Sequence, residues 1–138
     1  MADIPRGIRN HNPGNIDYNP ANQWRGLLPH DPTIEKRFCR FISPEYGIRA
    51  IMVLLKTYYH QYGLHTVAQL IGRWAPNNEN NTTDYCQQVA AKLGVSAQAT
   101  INVDDKDILI NLTKAIIQHE NGQQPYHDAI FVSVVNRL

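Results

Sequence analysis

The sequence predicts an α+β domain that is mainly helical, with a small β-rich lobe near its N-terminus. Three observations carry this. Four segments after residue 43 repeat apolar side chains at the helical period, most of them between recognisable start and stop residues. Residues 6 to 33 are crowded instead with Asn, Pro and Gly, and TIEKRFCRFI (33 to 42) mixes β-branched and aromatic residues as a strand does. The chain has 138 residues, 43% of them hydrophobic, which suits one domain, residues 1–138, with one ordinary core.

Taken in order, the first region carries turn signals at Asn12-Pro13-Gly14, Asn19-Pro20 and His30-Asp31-Pro32, and reads as irregular or hairpin. Strand-like residues 33 to 42 follow. The clearest helix comes next. Ser43 can cap it, Pro44 fits its first turn and Glu45 suits its positive end. Ile48, Ile51, Met52, Leu55 and Tyr59 share a face, and Gly63 ends the helix. A short helix over about 66 to 74 turns Val67, Leu70 and Ile71 inward. The stretch APNNENN is turn chemistry, because Asn and Pro favour bends. A third helix starts at Thr82 or Thr83 and stops at Leu93, before Gly94. A fourth runs from about Asp105 to Glu120 with Ile108, Leu109, Leu112 and Ile116 on its apolar face. The last segment, DAIFVSVVNRL, is β-branched like a strand, yet its place after four helices favours a packing helix.

Composition removes several function classes. A net charge of +1 and no basic cluster argue against nucleic acid as a partner. No apolar run is long enough to span a membrane, and the start lacks the hydrophobic core of a signal peptide, so export would need another carrier. Cys39 and Cys86 show no metal spacing and read as two free thiols. His60 and His65 straddle Gly63, and His119-Glu120 lacks the second His of a zinc-protease helix, so no metal site and no cofactor are expected.

Carboxylates remain. The run AIIQHENG carries an apolar helix straight into Glu120 and breaks at Gly122. A helix C-terminus disfavours negative charge, and so does desolvation, so a carboxyl group in such a place suits a general acid. Glu35, on the strand-like segment of the other lobe, would face it. Two acids across a cleft are what glycosidic hydrolysis asks for, one to protonate the leaving oxygen and one to stabilise the sugar cation or activate water. Each residue also has a plain structural reading, as a solvated surface acid.

The stretches RGIRNHNPGNI (6 to 16), Trp24-Arg25-Gly26, FCRFISPEYGIRA (38 to 50), RWAPNNENNTTDY (73 to 85) and AIIQHENG (115 to 122) resemble a family of small phage and prophage proteins described as virion structural or lysozyme-like proteins. His11 stands where that pattern has Asn. A second resemblance is to bacterial N-acetylglucosaminidases of the lysozyme superfamily. In those, a helix ending in Glu comes first, followed by an Asn-rich segment, a Trp-x-Gly turn, a β-lobe Glu and an aromatic stretch. Here Asn12 to Ile16, Trp24 to Gly26, Glu35, Phe38 to Phe41 and Trp74 to Tyr85 are similar to the later pieces, and the Glu helix stands at the other end of the chain.

The resemblance therefore implies a circularly permuted lysozyme-like fold, an order tolerated because domain termini commonly lie close together at the surface. It implies Glu120 as general acid, Glu35 as second carboxylate and Tyr85 as a catalytic cleft residue. Asn12, Asn15, Trp24 and Trp74 would bind sugar. The structural alternatives stand beside these roles: Tyr85 in the core, the tryptophans as packing anchors, the asparagines holding turns, and Arg6 and Arg9 solvated. The implied function is cleavage of the β-1,4 backbone of bacterial peptidoglycan by a muramidase or lytic transglycosylase. The alternative is a non-catalytic virion or glycan-binding module. Partners would be peptidoglycan strands and other virion or secretion-particle proteins. The address would be a virion, or a bacterial cytoplasm before delivery to the wall.

Overall fold

The computed structural model describes residues 3–76 and 79–138. Its described helices are α1 (Arg6–Arg9), α2 (Pro44–Tyr62), α3 (Val67–Trp74), α4 (Glu79–Leu93), α5 (Lys106–Asn121) and α6 (Asp128–Asn136).

Helix starts follow the chemistry of the unpaired N–H groups. Asp105 accepts from the N–H groups of Asp107 and Ile108 to open α5. Thr66 and Gln69 form a reciprocal capping box at α3. Ser43 makes no capping bond at α2, where Pro44 alone begins the helix. The third predicted helix begins earlier than expected, at Glu79, within the stretch read as loop; residues 77 and 78 of that loop lie outside the described residues. Thr82 is not its cap but donates its hydroxyl back to the carbonyl of Ala75. The ambiguous last segment is helical. Phe131, Val134 and Val135 fall at i, i+3 and i+4 and are buried, so the helical period outweighs the β-branched composition.

Helix α5 is the spine. Leu109, Leu112, Ile116 and Ile117 are wholly enclosed, with α1, α2, α4 and α6 packed around them. At about 1.5–3 kcal/mol per enclosed aliphatic side chain, this face holds much of the fold. Both cysteines are free and buried, and burial pushes the Cys39 thiol up to about 11.

The predicted β-rich lobe is corrected. Among the described residues, 10 to 43 hold only two isolated antiparallel bridges, Asp17 with Phe38 and Leu27 with Phe41. The expected strand over 33 to 42 fails in its first half because Asp31 turns the chain. Its backbone carbonyl accepts from the N–H groups of Ile34 and Glu35, and its side chain accepts from Thr33. Only the second half is extended. There the N–H of Cys39 donates to Ile16, that of Tyr18 to Arg37 and that of Leu28 to Arg40. The lobe is irregular coil sewn by side chains, and its inner residues Ile16, Cys39 and Phe41 join the helical core.

Candidate active site

Between the N-terminal lobe and the ends of α3, α4 and α5 lies an open cleft of about 600 Å³. Its helical wall carries Tyr58, Arg73, Trp74, Thr82, Tyr85, His119 and Glu120, and the other wall carries Gly14 to Asp17, Asn19, Asn22, Arg37 and Phe38.

Glu120 reaches this cleft because α5 ends there. The buried residues Ile116 and Ile117 fix the last turns, and Gly122 closes the helix in the left-handed conformation at φ 71°, its N–H donating to Gln118 at 2.8 Å. A partly buried carboxyl thus projects from a rigid element. Across 105 residues of sequence, Asn15 donates Nδ2–H to Glu120 Oε1 at 3.0 Å. Asn15 itself takes φ 50°, a backbone that Asn adopts more readily than most residues.

Behind this pair, the N-terminal lobe is pinned to α5. Asn121 Nδ2 donates to the carbonyls of Pro13 (2.8 Å) and Ile117 (3.0 Å). Gly7 sits against both amides. A Cβ there would lie 2.5 Å from Asn121 Oδ1 and 2.8 Å from Asn15 Oδ1, so the close approach requires Gly.

Tyr85 is buried beside Glu120. Burial, and then the neighbouring Glu120, hold its hydroxyl far above the ordinary phenol range. Among the described residues, that buried hydroxyl has no hydrogen-bond partner. Tyr85 is therefore a neutral phenol at any working pH. His119 stacks on its ring at 3.6 Å and shares a hydrogen bond between Nδ1 and Gln88 Oε1 (2.6 Å), which leaves it a support for the tyrosine.

Of the residues singled out from sequence, Glu120, Tyr85, Asn15 and Trp74 meet in this cleft; Glu35, Asn12 and Trp24 do not line it. Glu35 is corrected from second catalytic carboxylate to structural knot. It is 3% exposed, and its oxygens accept from Arg6 Nε and a second guanidinium nitrogen (2.6 Å each), Asn10 Nδ2 (3.0 Å) and the N–H groups of Arg37 and Phe38 (2.8 Å each). Arg6, first, and the backbone donors hold its carboxyl far below the usual range. An acid already accepting five hydrogen bonds has no lone pair for a sugar or a water.

Asn12 is also structural. It is enclosed, donating to the carbonyls of Ile16 (3.0 Å) and Cys39 (2.9 Å) and accepting from the Ile16 N–H (3.0 Å). Trp24 packs against the core, as the packing alternative had it.

The cleft also holds residues that sequence reasoning missed. Asp17 pairs with Arg37 at 2.7 Å, both largely exposed. The guanidinium of Arg73 lies 4.0 Å from the ring centroid of Tyr62 and 5.1 Å from that of Tyr58, whose ring meets Trp74 edge-on. The spacing of Tyr58 and Tyr62, one helical turn apart, was the available signal.

No protein-family model matches the chain. It is similar to Protein P5 of Pseudoalteromonas phage PM2, 38% identical over 128 residues, which cover 91% of this chain and 77% of that protein. Among the described residues, no helix is long and apolar enough to cross a membrane.

Proposed function

Since this chain belongs to the family of the phage protein P5, we propose that it cleaves the β-1,4 glycan backbone of bacterial peptidoglycan, on a permuted lysozyme-like fold, with Glu120 as general acid. The observation that carries the reading is the presence of Glu120 in an open cleft, on a rigid helix end, held by Asn15 and flanked by Tyr85 and Trp74. An open cleft suits a polymer. Aromatic faces suit sugar rings, and amides suit their hydroxyls.

With Glu35 consumed in the lobe, the chemistry that fits best needs one acid, as a lytic transglycosylase does. Glu120 gives its proton to the glycosidic oxygen as the C1–O bond breaks. The sugar's own C6 hydroxyl then attacks C1 and returns its proton to the Glu120 carboxylate, leaving an anhydro end. Asp17 is the cleft's other carboxylate among the described residues, and its pairing with Arg37 makes it a poor general base.

The test is release of soluble muropeptides from purified sacculi. Glu120→Gln is expected to lower release by about a hundredfold or more, while Asp107→Asn, at the far end of α5, leaves it unchanged. Mass spectrometry of the products should show anhydro ends; reducing ends mark a hydrolase. Sacculus binding without release by the wild type overturns catalysis and favours a glycan-binding virion module.

A further inference from the structure

On the premise of that glycan-cleaving reading, we infer that Arg73 recognises a carboxylate carried on the substrate's peptide stem, so that the cleft takes acidic, peptide-bearing glycan in preference to a neutral one. Among the described residues, three arginines lie over aromatic rings beside or within the cleft. Arg6 and Arg37 lie over Phe38 at 4.5 and 4.7 Å, and each has a carboxylate partner, Glu35 and Asp17. Arg73 lies over Tyr62 and Tyr58 in the same manner, lines the cleft, is exposed, and has no carboxylate partner among the residues whose side chains are described.

The ring contacts matter because a free arginine loses much rotamer freedom when it binds. Tyr58, itself set edge-on to Trp74, orders the guanidinium beforehand. A guanidinium ordered over rings keeps its in-plane N–H groups for a planar, two-oxygen acceptor, and a carboxylate is that acceptor. Glu120 and Asp17 lie among the cleft's other residues. In this arrangement a neutral sugar sits at Glu120 and the negative substituent at Arg73. An acetylated sugar polymer offers Arg73 no charge.

The test uses full-length protein carrying Glu120→Gln, so that ligand is not consumed. Soluble peptidoglycan strands are compared with the same strands after their carboxylates have been converted to amides with carbodiimide and ammonia. Amidation should weaken binding about tenfold, the scale of one charge-assisted pair. Adding Arg73→Ala should weaken native strands by the same factor and erase the difference between the two ligands, and Arg73→Lys should recover only part. Thermal midpoints confirm that the variants fold. Equal binding of both ligands, no binding of either, or a full amidation effect that survives Arg73→Ala overturns the inference. Those results are independent of sacculus cleavage, whose absence in the wild type would sink the catalytic reading alone.

Discussion

Glu35 shows how much a single carboxylate can organise without touching a substrate. It ties α1 to the turn at Asp31 and to the extended segment after it, through Arg6, Asn10 and two backbone N–H groups. Its depressed pKa makes it a source of pH-dependent stability. The ionised form is favoured by folding, so the contribution is present in full above the unfolded value, near about 4.3, and is lost as pH falls toward the much lower folded value. Glu35→Gln should therefore lower stability at pH 7 by about 1–3 kcal/mol, the cost of stranding a buried donor. The gap to wild type should narrow steadily below about pH 4. Urea midpoints at pH 7, 5 and 3 measure it; a gap unchanged at pH 3 would show that charge is not what the site contributes. The same residue marks a limit of sequence reading. An acid between Ile34 and Lys36 has the spacing of a solvated strand residue, and the partners that decide otherwise lie up to 29 positions away.

At the scale of elements, the longer helices were legible because their determinants are local, whereas the four-residue α1 fell in a stretch read as irregular and α4 starts in one read as loop. Periodic apolar faces, Thr66 with Gln69, Asp105, Gly63 and Gly122 each act within a turn or two of their own position. What locality cannot supply is which helical position touches another segment. Gly47 lies inside α2, where Ala would ordinarily gain about 1 kcal/mol in helix propensity. Here the carbonyl oxygen of His11 crosses so closely that a Cβ would lie 2.0 Å from it, and 2.9 Å from Pro13 Cδ. Gly72, inside α3, has open space at the same point. The two substitutions should have opposite signs. Gly72→Ala should stabilise by about 0.5–1 kcal/mol, and Gly47→Ala should destabilise by about 2 kcal/mol or more as α2 is pushed off the loop at His11. Equal effects by denaturant titration would mean that the crossing is looser than described.

For the whole molecule, the question is whether the irregular N-terminal lobe is a unit of its own. A lobe with two isolated bridges has too little backbone pairing to stand alone, since even a two-stranded hairpin is marginal in water. Its apolar residues Ile16, Cys39 and Phe41 are buried in one cluster with the helices. Its polar ties run to the far end of the chain, from Asn121 to Pro13 and from Asn15 to Glu120. This is also why half of the candidate site could not be read in advance. Glu120, Tyr85, Asn15 and Trp74 sit in stretches with a local signature, whereas Arg73 meets Tyr62 only when α3 packs beside α2, and Asp17 meets Arg37, 20 positions on, only when the lobe folds on itself. The consequence is cooperative unfolding of lobe and helices together. The two tryptophans report on the two parts, Trp24 in the lobe and Trp74 at the end of α3. In Trp74→Phe and Trp24→Phe proteins the remaining indole follows one part each, and far-ultraviolet circular dichroism follows the helices in both. Within each variant the fluorescence and dichroism transitions should coincide to within about 2 °C or about 0.2 M urea, because neither part keeps its core without the other. A lobe signal in the Trp74→Phe protein that melts well before the helical signal would show a separately folding lobe. The cleft would then assemble only when the lobe docks, and Glu120 would face open solvent for part of the time.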